Sequence, residues 1–205
     1  ELGNGSGSIA FSARAIGTDG NALWGVSSPQ VSSNNVAVND SALLSSALSL
    51  SSVNVSVGQH FTVFMTVTNN GGAASTLTNA NPLIASGSGS AVLLSGPVPV
   101  NATINGTSTQ IFTFTYSATG SGNITYSGNA TGTDITFGSV SSQLSSTPFI
   151  NIVNAASLAA QLSASPVQVS AGQVITVRMN VTNNGGAAAL NTLPANPGIS
   201  GTGTV

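Results

Sequence analysis

Apolar and polar residues alternate along several stretches of this chain. From 60 to 68, Phe61, Val63, Met65 and Val67 take one side. His60, Thr62, Phe64, Thr66 and Thr68 take the other. A period of two over six to ten residues predicts a half-buried β-strand. The same pattern puts Ile175, Val177, Met179 and Val181 inward, against Thr176, Arg178, Asn180 and Thr182. Along 109–117, Phe112, Phe114 and Tyr116 alternate with Ile111, Thr113 and Thr115. Ile124 and Tyr126 alternate with polar neighbours along 122–128, and Val53, Val55 and Val57 form a shorter, edge-like run. Residues 155–162 (AASLAAQL) offer the best helical stretch, but strand patterns flank it. The Thr, Val and Ser that dominate elsewhere disfavour helix interiors. Asn69-Asn70-Gly71-Gly72 is a turn signal, because Asn and Gly tolerate positive φ cheaply.

The patterns recur. Residues 53–74 (VNVSVGQHFTVFMTVTNNGGAA) match 167–188 (VQVSAGQVITVRMNVTNNGGAA) at an offset of 114. Asn81-Pro82 matches Asn196-Pro197 after a one-residue slip. Residues 5–19 (GSGSIAFSARAIGTD) match 120–134 (GSGNITYSGNATGTD) at an offset of 115. Gly17-Thr18-Asp19 thereby falls on Gly132-Thr133-Asp134, and Phe11 on Tyr126. The expected organisation is the back half of a unit over 1–46, a complete unit over 47–160 and the front half of a third over 161–205. Counterparts of about residues 93–115 are missing from the two half-units taken together. Short strands, turn residues between them and about 115 residues per unit predict an all-β protein. Its expected architecture is tandem immunoglobulin-like antiparallel β-sandwich repeats.

The stretch VGQHFTVFMTVTNNGG resembles the CARDB and DUF11 type of extracellular repeat in bacterial and archaeal surface proteins. STQIFTFTYSATGSGNITYSGNATGTD is similar to the second sheet of the same modules. The resemblance implies a secreted or surface-exposed array of β-sandwiches that serves as stalk, adhesin or fibre, without catalysis. The chain departs from many such modules in its scarcity of acidic residues.

Composition narrows the function. Charged residues make up 3% of the 205 positions, against about 25% in an average domain. There are two basic residues, Arg14 and Arg178, and four acidic ones, Glu1, Asp19, Asp40 and Asp134. Nucleic-acid binding therefore has no electrostatic source. No run of 18 or more apolar residues is present, so no transmembrane helix is expected. No signal-peptide pattern heads the sequence, and a mature secreted chain would have lost one. Cysteine is absent, which removes disulfides, thiolate metal sites and cysteine nucleophiles. Lysine is absent too, so Lys–Asn isopeptide staples cannot form. One histidine and four carboxylates leave little to move protons, so the chain is read as a non-enzyme without cofactor or metal.

The singular residues have plain readings. His60 is predicted to sit on the outward face, and the second copy has Val174 there. Asp19 and Asp134 suit Asx-type turns, since calcium wants about 6–8 oxygens and no second acid lies nearby. Arg14 and Arg178 fall opposite Asn129 and Phe64, so neither belongs to a repeated site. Trp24 is the candidate ligand contact, as a sugar-stacking platform near a loop, or else packs on a neighbouring domain. Asn-x-Ser/Thr sequons occur at Asn4, Asn39, Asn54, Asn101, Asn105, Asn123, Asn129 and Asn180. Asn123 and Asn180 are expected to face outward.

A surface of hydroxyls and amides lacks like-charge repulsion. That suits an extracellular fibre, where neighbours pack, better than a diffusing enzyme. An open half-unit exposes strand edges, which invite pairing. Two resolutions follow. The chain is a window from a longer repeat array, or residues 161–205 of one molecule are completed by 1–46 of the next. The expected partners are thus neighbouring repeats or copies of itself, with surface glycans as the adhesin alternative.

Overall fold

The structure, a computed structural model, describes residues 6–195 and 198–202. Asn4 and the Asn196-Pro197 match lie outside the described residues. The expectation of an all-β chain holds throughout them, in antiparallel sheets compatible with a β-sandwich.

The chain opens with a narrow ribbon. Strands β1 (Gly7–Ile9), β2 (Ser12–Ala13) and β3 (Ile16–Thr18) run out, and β4 (Gly25–Ser27), β5 (Val31–Ser32) and β6 (Val36–Val38) run back. They pair antiparallel as β1–β6, β2–β5 and β3–β4. The turn closes at Asp19, whose N–H donates to the Trp24 carbonyl.

Thirteen strands follow. They are β7 (Leu44–Leu50), β8 (Asn54–Ser56), β9 (His60–Asn69), β10 (Ser75–Ala80), β11 (Ile84–Gly87) and β12 (Ser90–Val98), then β13 (Ala102–Ile104), β14 (Thr109–Gly120), β15 (Gly122–Gly128), β16 (Ala130–Asp134), β17 (Gly138–Ser141), β18 (Ser145–Ser146) and β19 (Ile150–Val153). One sheet has the order β12-β14-β9-β7 and a second β13-β10-β16-β17. The third has the order β11-β15-β19-β8, with β18 also on β15. The β8 edge pairs parallel to β19, unlike every other ladder among the described residues.

The alternation seen in the sequence builds the core. On the inner face, Phe112 pairs with Met65, Phe114 with Val63 and Tyr116 with Phe61. Phe61, Val63, Met65 and Val67 are all buried, as are Phe112, Phe114 and Tyr116. From the third sheet, Ile124, Tyr126, Ile150 and Ile152 meet them. The Tyr126 ring lies 6.2 Å from Phe61 and 4.5 Å from Tyr116, centroid to centroid. Each such side chain contributes about 1.5–3 kcal/mol on burial.

The last hairpin is β20 (Leu158–Ser165) with β21 (Thr176–Asn183). The helical stretch weighed at 155–162 thus enters a strand, because β21 offers a full antiparallel edge. The second copy's inward face is not covered. Ile175, Val177 and Val181 are exposed and only Met179 is half-buried, because no second sheet packs on them among the described residues.

Candidate functional site

The chemistry-bearing side chains lie apart. Among the described residues, no three His, Cys, Asp or Glu gather closely enough to hold a metal ion. Among them, no helix long and apolar enough to cross a membrane is present. His60 is exposed at the start of β9, paired in register with Ser117. Trp24 is 66% exposed at the tip of the ribbon. Asn54, Asn101, Asn105, Asn123 and Asn180 are exposed, whereas Asn129 is half-buried and its Oδ1 accepts from Asn81 Nδ2 at 2.9 Å.

What the structure does bring together is the junction between the two halves of the packed unit. Asp134 is fully buried. Its Oδ1 accepts from Thr136 N at 2.8 Å, from Thr136 Oγ1 at 2.8 Å and from Phe137 N at 3.2 Å, which is the Asx-type turn expected. Its Oδ2 accepts from Ala42 N at 2.7 Å, a bond between residues 92 apart in sequence. The Ala42 N–H and then the Thr136 donors hold the carboxyl down at about 2. Asp19 makes the same turn, with Oδ1 accepting from Asn21 N and Ala22 N, and its acidity is raised by them in the same direction.

Asn69 anchors the other side. It is fully buried, and its side chain makes every bond it can. Oδ1 accepts from Leu43 N and Gly71 N, and Nδ2 donates to the carbonyls of Ala73 and Ile104. The turn after it uses glycine for space, not for positive φ: a Cβ on Gly71 would overlap the Ser41 carbonyl.

These arrangements recur in the ribbon and in the last hairpin. Ribbon pairs Ile9↔Val36, Ser12↔Ser32 and Gly17↔Val26 correspond to Ile124↔Ile150, Ser127↔Ser146 and Gly132↔Val140 within the packed unit. Residues 7–38 therefore repeat the ladder registers of 122–152, with β1 and β2 together standing where β15 runs. In the last hairpin, Leu158↔Asn183 repeats Leu44↔Asn69. Asn184 N donates to Ser157 O as Asn70 N does to Leu43 O, and Ser170 N donates to Gln173 Oε1 as Ser56 N does to Gln59 Oε1.

What differs is the cover. Ile124, Tyr126 and Ile150 are buried, but their counterparts Phe11 and Val36 are exposed and Ile9 is half-buried. The open faces of ribbon and hairpin are thus the candidate interaction surfaces. The repeat that leads to them is legible in the sequence, but the ladder register is not. No protein-family model matches this chain, and no curated protein is detectably similar to it.

Proposed function

We infer that this chain is a structural segment of an extracellular filament or cell-surface fibre. Its units are tandem immunoglobulin-like sandwiches, joined by strand pairing and sheet packing, in keeping with the resemblance to CARDB and DUF11 repeats. The observation that carries the reading is the register identity between ribbon 7–38 and the covered ribbon 122–152. Repetition of a part that needs a neighbour is what an array requires. A surface with 3% charged residues adds little repulsion between adjacent units. Electron microscopy of the concentrated chain tests this. Uniform filaments support the reading, and monodisperse particles at every concentration overturn it.

The adhesin reading rests on Trp24, an exposed indole at a ribbon tip. Binding on a glycan array that is lost in Trp24→Ala would favour it. Equal signals for both proteins would remove it.

A further inference from the structure

We propose that Asn105 is a self-modifying site, where the unglycosylated side chain converts to aspartate and isoaspartate through a succinimide. The proposal is independent of the fibre reading.

The chemistry needs an asparagine whose following amide nitrogen is open to approach. Glycine, without a Cβ, leaves it most open. Four Asn-Gly pairs occur in the sequence, and Asn4-Gly5 lies outside the described residues. The other three differ in one respect. In Asn70-Gly71, the Gly71 N–H donates to Asn69 Oδ1 at 3.1 Å. In Asn184-Gly185, the Gly185 N–H donates to Asn183 Oδ1 at 3.0 Å. The first asparagine of each Asn-Asn-Gly-Gly turn thus occupies the nitrogen that would attack the second. Asn70 Nδ2 is also tied, to Ser45 Oγ at 2.9 Å.

Asn105-Gly106 has no such guard. Ile104, buried and without a side-chain acceptor, stands where the guarding asparagine would be. The Gly106 N–H has no acceptor among the described residues. The Asn105 side chain is exposed and has no hydrogen-bond partner among them. The turn itself is held from both sides. Ser108 N–H donates to the Asn105 carbonyl at 3.2 Å, and Thr107 N–H to the Gly71 carbonyl at 3.2 Å. A Cβ on Gly106 would overlap the Gly72 carbonyl, so this close approach of two turns requires glycine there. Packing therefore keeps the residue that makes Asn105 labile.

In the first step Gly106 N bonds to Asn105 Cγ and gives up its proton. The Cγ–Nδ2 bond breaks, and Nδ2 leaves as ammonia with that proton. Solvent water then adds to one carbonyl of the succinimide and breaks its bond to Gly106 N. Opening at Cγ gives aspartate, and opening at the Asn105 main-chain carbonyl gives isoaspartate. Either product adds one negative charge to a chain whose formal net charge is −2. Asn105-Gly106-Thr107 is also a sequon. The two fates exclude each other, because deamidation expels the nitrogen that would carry the sugar.

The test uses the unglycosylated full chain at mildly alkaline pH, folded and in denaturant. Peptide mass spectrometry follows the three sites. In the folded chain Asn105 is expected to convert at least about fivefold faster than Asn70 and Asn184, the factor that one net hydrogen bond supplies. In denaturant the three rates are expected to converge. Asn183→Ala is expected to raise Asn184 toward the rate of Asn105. Asn183→Asp keeps the Oδ1 acceptor and is expected to leave Asn184 slow. Equal rates at the three sites of the folded chain, or an order that persists in denaturant, overturn the proposal. Equal acceleration by both Asn183 variants also overturns it, because looseness of the turn, not the guarded N–H, would then set the rate.

Discussion

Asn183 repeats three of the four side-chain hydrogen bonds of Asn69, yet Asn69 is sealed from solvent and Asn183 is exposed. The missing fourth is the bond from Nδ2 to Ile104 O, which needs β13. The same side chain therefore has different weight in the two copies. Asn69→Ala leaves four backbone groups without their partner, at about 1–3 kcal/mol for each that stays buried and unpaired. Asn183→Ala is expected to lower the unfolding midpoint of the packed unit by little, because water replaces the lost partner. Denaturant melts of the two variants measure the difference.

Tyr126 is the opposite case. Its hydroxyl is buried and has no hydrogen-bond partner among the described residues, and the first repeat has Phe11 at the same position. Tyr126→Phe removes an unpaired polar group while keeping the ring contacts with Phe61 and Tyr116. The expected change is neutral to stabilising by about 1 kcal/mol. Phe112→Ala, by contrast, empties a fully buried site and is expected to cost about 3–5 kcal/mol. Chemical denaturation of both variants reads the two signs.

Stability should be flat across neutral pH. Asp134 is held at about 2, below its ordinary value near 3.8, chiefly by the Ala42 N–H. A depressed carboxyl contributes stability that is present above about pH 4 and lost as pH falls toward 2. Burial pushes the Tyr116 phenol up to about 12, and Tyr126 moves the same way. A raised phenol contributes stability that is present below about pH 10 and lost as pH rises toward 12. Thermal melts from pH 2 to 12 are expected to show a plateau with losses at both ends. A steep change between pH 5 and 9 would contradict the account.

If the sequons are used, accessibility orders them. Asn123 and Asn180 are exposed, while Asn129 is half-buried and tied to Asn81. Glycopeptide mass spectrometry of the native protein is expected to find Asn123 and Asn180 occupied and Asn129 bare. Occupancy at Asn129 with the other two bare would contradict this.

Alternation alone revealed β9, β14 and β15, because each buries one face against a second sheet. The period-two signal says which residues match a buried face, not whether a face finds cover. Ile175 and Val177 carry the same pattern as Phe61 and Val63 and remain exposed. Strand β10 was hidden, since its inward Ser75 and Thr78 are polar and satisfy one another at 2.7 Å. Local turn chemistry made Asp134 legible as an Asx residue. Its second oxygen was not legible, because the donor, Ala42, is brought there only by the packing of the two halves. The recurrence of the patterns at either end was legible in the sequence, and the matching registers needed coordinates.

Hydrogen exchange, followed by mass spectrometry at rising protein concentration, tests most directly whether the ribbon and the last hairpin gain cover when the chain assembles into a fibre. Amides in the packed unit, such as those of β9 and β14, are expected to be protected at every concentration. Amides of β3, β6 and 189–192 are expected to exchange fast in dilute solution and to become protected together as the chain assembles. Exchange in those three segments that stays fast in assembled material, or that is already slow in the monomer, would contradict the account.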